Sequence, residues 1–124
     1  MDDDKDLAQS LIDVLAMMGH KVKDTPDGEE AVRVYKEALE SGSPFDVVIL
    51  DLTVPGGMGG KEAARLIRQC HKEARICVST GYSNEMLLSE YREYGFDGVL
   101  MKPYKVEDLR NCLRKVSMGS RLAH

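Results

Sequence analysis

Asp51 directly follows the apolar run Val47-Val48-Ile49-Leu50, Thr80 follows Ile76-Cys77-Val78-Ser79, and Lys102 follows Val99-Leu100-Met101. A carboxylate, a hydroxyl and an amine thus each stand at the end of a short, strand-like apolar segment. A further acidic group, Asp2, Asp3 and Asp4, precedes the first helical pattern. Clustered carboxylates repel one another: a pair ~4 Å apart costs about 4 kcal/mol at an effective dielectric near ~20, unless a cation lies between them. A hard divalent cation resolves this. Oxygen donors with room for water and phosphate oxygens describe a Mg2+ site better than a zinc site, which would recruit His and Cys. Lys102 adds positive charge and Thr80 a hydroxyl donor, both suited to phosphoryl oxygens. An Asp nucleophile, a metal and donors for equatorial oxygens are the parts that phosphoryl transfer needs.

The elements that must position these groups alternate along the chain. Leu7, Leu11, Val14, Leu15 and Met18 recur at helical spacing until Gly19 ends the pattern. Residues 20–25 alternate around Val22 and read as a short strand. Asp27 and Glu30 are then spaced as an N-cap and its reciprocal partner for a second helix through Ala31, Tyr35 and Ala38. Residues 45–50 are nearly all apolar, as in a strand covered on both faces. A glycine-rich loop over 55–60 leads to a third helix with Ala63, Leu66, Ile67 and Cys70 on its apolar face. A strand over 75–79, a helix over 84–94, a strand over 96–101 and a helix over 106–116 follow. Such alternation predicts an α/β fold, an open parallel sheet with helices on both faces. In such sheets functional groups gather beyond the carboxyl ends of the strands, where Asp51, Thr80 and Lys102 fall.

Composition bounds the rest. A chain of 124 residues with 43% hydrophobic content suits one domain. The division expected is a domain over 1–117 and a disordered tail over 118–124. A formal net charge of −4 with interspersed signs offers no basic stripe for nucleic acid. No apolar run approaches the ~20 residues of a membrane span, and the opening residues are acidic rather than a cationic signal region. Cys70, Cys77 and Cys112 lack C-x-x-C spacing and read as reduced core or near-core thiols, which suits the cytoplasm. His20 and His71 show no ligand spacing.

With Asp-Asp-Asp before the first helix, Leu50-Asp51-Leu52-Thr53-Val54-Pro55, Ser79-Thr80-Gly81 and Lys102-Pro103-Tyr104 in order, the chain resembles the receiver domains of two-component response regulators over nearly its whole length. The resemblance implies a flavodoxin-like sheet of order 2-1-3-4-5. It implies Asp51 as phosphoacceptor and a Mg2+ site formed by Asp2, Asp3, Asp51 and the backbone carbonyl of Thr53. Thr80 would be the switch hydroxyl, Lys102 the active-site amine, and Lys102-Pro103 a cis bond, which only an X-Pro bond adopts at modest cost. Gly81, Tyr82 and Val99 are the neighbours that would modulate the site. The implied partners are a histidine kinase or histidine phosphotransfer domain and, as a homodimer, a second copy meeting the first through the family's fourth helix, fifth strand and fifth helix. Nucleic acid and membrane are not implied as direct partners.

The chain departs from the family in three places. The hydrophobic first strand that normally leads into the acidic pair is missing, so the central slot of the sheet lacks its occupant. The loop Val54-Pro55-Gly56-Gly57-Met58-Gly59-Gly60 is one residue longer than usual and lacks an acidic residue before its final glycine, which resembles receivers attached to hybrid sensor histidine kinases. Val99 replaces an aromatic rotor.

Each residue also has an ordinary reading. An isolated Asp after a strand caps a turn, Asp4 can cap the first helix, a Lys before Pro is often a solvated loop residue, and Tyr104 is more often packing than interface. The loop over 56–62 fails as a P-loop because Pro55 stands at the required first glycine and Glu62 where Ser or Thr should reach Mg2+. A haloacid-dehalogenase-type phosphatase would need an acid two residues after Asp51, where Thr53 stands. A degenerate, binding-only receiver is disfavoured by intact Asp51, Thr80 and Lys102. The expectation is therefore a phosphoaccepting signalling module, not an enzyme acting on a diffusible substrate, although a parent hybrid protein could be a histidine kinase.

Overall fold

The structure, a computed structural model, describes residues 1, 5–52, 57–81, 91–102 and 104–122. Seven elements follow in order: α1(Lys5–Met17), α2(Gly28–Glu40), β1(Val48–Asp51), α3(Gly60–Cys70), β2(Ile76–Thr80), β3(Gly98–Met101) and α4(Val106–Leu122). The strands form one parallel sheet in the order β1-β2-β3, with Leu50 beside Val78 and Ser79 beside Leu100. This is the open parallel sheet with helices that the alternating pattern predicts.

Strand alternation divides the core in two, because successive side chains point to opposite faces. Leu50, Ile76 and Val78 pack with Tyr35 of α2 and Ala63, Ala64 and Ile67 of α3. Cys77 and Leu100 pack with Leu15 of α1 and Leu109, Cys112 and Val116 of α4. Both faces of β2 are covered and all five of its residues are buried. A fully buried parallel strand has no polar face to show, which is why its sequence is a continuous run rather than an alternation.

The helix ends follow local chemistry. Asp27 caps α2 by accepting a hydrogen bond from the Glu30 amide at 2.9 Å. The reciprocal half of the expected box does not form, since the Glu30 carboxylate is held by Arg33 instead. After α1 the amides of Gly19 and His20 donate back to the carbonyls of Ala16 and Leu15, with Gly19 at φ 89°. That paired closure uses the left-handed conformation glycine adopts without a Cβ penalty. The last helix runs to Leu122, past the expected end at 116.

Two expectations need correction. Residues 20–25 form no strand, and Val22 is 37% exposed. A strand is held by its neighbour, and among the described residues none lies between this segment and the outer edge of β1. A cleft of about 690 Å³ opens there, lined by Leu11 and Leu15 of α1, Val22, Val47 and Ile49. Met1 fills only its upper end: its ammonium donates to the Ile49 carbonyl at 2.7 Å, and the Asp51 amide donates to the Met1 carbonyl at 3.0 Å. Those are the two bonds of a one-residue parallel ladder. Among the described residues the sheet thus has three strands, in keeping with the missing first strand.

The cysteines are the second correction. Cys70 is exposed rather than near-core. Cys77 and Cys112 are buried as expected, but as a disulfide between β2 and α4 rather than as reduced thiols, with Cα atoms 7.6 Å apart.

Candidate functional site

The site is built by the strand ends. Asp51 closes β1 opposite Ser79, and Thr80 closes β2 opposite Met101. Beyond the last ladder positions the chains stay joined: the Leu52 amide donates to the Ser79 carbonyl and the Lys102 amide to the Thr80 carbonyl, each at 2.8 Å. The three chain segments carrying Asp51, Thr80 and Lys102 are therefore stitched side by side. The ordering comes from backbone bonds that any side chain allows, so the site costs the fold little beyond burying its polar groups.

Those groups are buried. Asp51 is 5% exposed and Thr80 3%. Lys102 is half-buried and its Nζ donates to Asp51 Oδ2 at 3.3 Å. A carboxylate so enclosed needs a cation and hydrogen bonds to remain ionised, and the ammonium is the cation the chain supplies. Ser79 Oγ lies beside Asp51 in the register, is buried, and has no hydrogen-bond partner among the described residues.

Gly60 explains how Asp51 is approached from the far side. It opens α3, its amide donates to the Leu52 carbonyl at 3.2 Å, and a Cβ there would stand 2.8 Å from the Asp51 carbonyl oxygen. A side chain at position 60 would push the phosphoacceptor candidate out of register. In the sequence Gly60 is simply the last glycine of a glycine-rich loop; its role becomes visible only with the start of α3 placed against the end of β1.

Of the other expected site residues, Gly81 is exposed just past Thr80, and Val99 is half-buried on β3. Asp2, Asp3, Thr53, Tyr82 and Pro103 lie outside the described residues. Tyr104 is half-buried and packs against the core cluster of α4. Among the described residues no cluster of three His, Cys, Asp or Glu could hold a metal. The donors at the strand ends are oxygens, and the orphaned Ser79 hydroxyl adds another polar atom, so this edge suits a hard cation rather than zinc.

The sequence matches the family model of the response regulator receiver domain over residues 1–114. The chain belongs to that family. Among curated relatives, this receiver is 28% identical to the chemotaxis protein CheY of Thermotoga maritima over 94% of its own length and 93% of the relative's. It is 31% identical to a stretch of the virulence sensor protein BvgS of Bordetella pertussis, over 93% of this chain but 9% of that protein. In fold it is similar to a response regulator receiver domain protein from Clostridium thermocellum, with a TM-score of 0.84 at 23% identity, covering 99% of this chain and 94% of the other. The receiver's three described strands correspond to the third, fourth and fifth of the CheY-like, flavodoxin-like sheet, whose first strand is missing and whose second is not formed among the described residues. No helix among the described residues is long and apolar enough to cross a membrane.

Proposed function

We propose that this receiver accepts a phosphoryl group on Asp51 from a phosphohistidine of a histidine kinase or histidine phosphotransfer domain, and works as one step of a two-component phosphorelay. The observation that carries this reading is the enclosed Lys102–Asp51 pair at the carboxyl edge of the sheet, with Thr80 buried on the strand between them. A carboxylate oxygen attacks phosphorus in line, the bond to the donor imidazole nitrogen breaks, and an acyl phosphate remains on Asp51. Lys102 holds charge at the equatorial oxygens and the Thr80 hydroxyl donates to them.

Asp51, with Asp2, Asp3 and the Thr53 carbonyl, would hold Mg2+. When bound, the ion neutralises charge on the entering phosphoryl oxygens. Drawing Thr80 toward the new group would reshape the face that the family's fourth helix, fifth strand and fifth helix form, which partners or a second copy would read. Gly81 leaves that approach open. Val99 offers no aromatic rotor, so the Thr80 hydroxyl itself would carry the signal. Tyr82 would shield the acyl phosphate from water and slow its hydrolysis. The match to a stretch of the virulence sensor protein BvgS supports a place within a larger sensor protein, such as a hybrid sensor histidine kinase. The module would work in the cytoplasm. No diffusible substrate is turned over.

Intact-mass measurement after acetyl phosphate treatment, with and without Mg2+, tests this on the wild type and on Asp51→Asn. A single Mg2+-dependent phosphoryl adduct that disappears in the variant is expected. Repeated phosphate release from a small phosphoester would favour a phosphatase instead. A folded chain that forms no adduct would favour a binding-only module.

A further inference from the structure

A buried hydroxyl without a partner is uncommon, because leaving it unpaired destabilises the folded state by the desolvation of that group. Ser79 carries such a group: the residue is 2% exposed, and its Oγ has no hydrogen-bond partner among the described residues. Ser79 is also the register partner of Asp51 across the ladder of β1 and β2. Strand alternation sends both side chains to one face of the sheet, the face on which Ile49 and Cys77, two residues earlier, pack with α1 and α4. Neighbouring strands lie about 4.8 Å apart, so a serine and an aspartate in register on one face stand within reach of each other. Leu100, the register partner of Ser79 on β3, belongs to the same cluster, and Lys102 follows it by two residues. Asp51, Ser79 and Lys102 therefore share one face across three adjacent segments.

We propose that Ser79 is a positioning residue for the phosphorylated state, its hydroxyl donating to the acyl oxygen of Asp51 once the phosphoryl group is in place. This rests on the receiver reading above and adds a residue to it. At rest Lys102 holds the carboxylate turned toward itself, with Nζ 3.3 Å from Oδ2. In phosphorylation one carboxylate oxygen bonds to phosphorus, and the leaving group departs with the electron pair of the bond that breaks. The negative charge then lies on the phosphoryl oxygens, and the Lys102 ammonium follows it on its flexible stem. What remains of the carboxylate is a neutral acyl carbonyl inside the protein, which needs a donor. Ser79 is a buried donor that needs an acceptor. Pairing the two satisfies in the phosphorylated state a group that the resting state leaves unmet.

The rest of β2 shows what packing alone selects. Ile76, Cys77 and Val78 are fully buried and apolar, and each belongs to a core cluster. An apolar residue at 79 would occupy the same buried position without an orphaned hydroxyl, and removing an unpaired buried hydroxyl is close to neutral or stabilising. The hydroxyl at 79 thus adds nothing to the resting fold and finds its acceptor only when Asp51 is modified.

The test compares the full chain as wild type, Ser79→Ala and Ser79→Thr. Without a phosphodonor, Ser79→Ala should unfold at a urea midpoint equal to or above that of wild type. A lower midpoint would show that the hydroxyl is already bonded at rest and overturn the proposal. The proteins, isotope-labelled at the aspartate side-chain carboxyl, are then treated with acetyl phosphate and Mg2+ and followed by infrared difference spectroscopy. A new acyl carbonyl band is expected. In Ser79→Ala it should move to higher wavenumber, as a carbonyl band does on losing a donor, and Ser79→Thr, which keeps a hydroxyl, should bring it back. A merely structural serine leaves the band in place, so equal positions in wild type and Ser79→Ala overturn the proposal while the receiver reading stands. If Ser79→Thr does not fold, heavy water decides instead: the band should shift on transfer in wild type and stay in Ser79→Ala, and equal shifts sink the idea. No acyl band in wild type overturns the receiver reading, and this inference with it.

Discussion

The ammonium of Lys102 stands 3.3 Å from Oδ2 of Asp51, across 51 positions of sequence, and is brought there by the last backbone bonds of the sheet. The carboxylate side chain is 7% exposed and the lysine 19%. Removing one partner of such a pair leaves a buried charge with less compensation, which costs more than the pair contributes. Lys102→Ala should therefore slow Mg2+-dependent phosphorylation at least tenfold and lower stability by about 2 kcal/mol. Adding Asp51→Asn to Lys102→Ala should restore part of the stability and none of the phosphorylation. Urea unfolding of the two single variants and the double variant checks this; strictly additive losses would mean the two groups do not interact.

Gly60→Ala tests the support of Asp51 from the other side. The new methyl would meet the Asp51 carbonyl at 2.8 Å and its carbon at 3.2 Å, both backbone atoms that cannot swing away. Overpacking of this kind costs about 1–3 kcal/mol, and here the strain falls on the strand end that carries the phosphoacceptor candidate. The variant should unfold at lower urea and, while still folded, accept phosphate more slowly. Wild-type rates in the folded variant would show that the approach of α3 to Asp51 is not tight.

Much of this was legible beforehand, for identifiable reasons. Asp51, Thr80 and Lys102 could be placed because each ends an apolar run, and runs buried on both faces announce themselves in composition. Asp27 could be assigned as a cap because the bond it makes spans three residues. Residues 20–25 could not be placed correctly, because their pattern is that of a strand and no neighbouring strand stands beside them among the described residues. The end of α4 is not legible because its apolar pattern stops at Val116, while the helix continues through Gly119 to Leu122. The Cys77–Cys112 disulfide joins residues 35 positions apart through the packing of a helix on a sheet, which spacing alone does not encode.

Arg68 offers a structural control at the opposite end of the sheet. Its guanidinium donates to the carbonyls of Gly95, Lys72 and Ala74 and to the Asp97 carboxylate at 2.8 Å, and the same carboxylate accepts the Ile76 amide. One side chain thus ties the end of α3 to the starts of β2 and β3. Arg68→Ala should lose about 2–3 kcal/mol, since several charge-assisted bonds go at once. Its phosphorylation rate, corrected for the folded fraction, should match wild type. A large rate loss in fully folded Arg68→Ala would mean that this clamp reaches the site through the strands.

Tyr35 gives a pH dependence whose sign can be worked out. Its ring is 1% exposed and its hydroxyl shares a 2.7 Å hydrogen bond with His71 Nδ1. Burial pushes the phenol above its ordinary value, with Cys70 adding to the rise and Arg68 opposing it. The folded state therefore keeps the proton at pH values where the unfolded chain has lost it. The stability Tyr35 contributes is fully present below its unfolded value near about 10 and is lost as pH rises through the higher folded value. Tyr35→Phe keeps the ring and removes the titration, at a cost of about 1 kcal/mol for the hydrogen bond. Urea midpoints compared between roughly pH 8 and pH 11 should fall more steeply for wild type than for Tyr35→Phe. Parallel slopes would mean that the phenol ionises as freely in the folded protein as in the unfolded one.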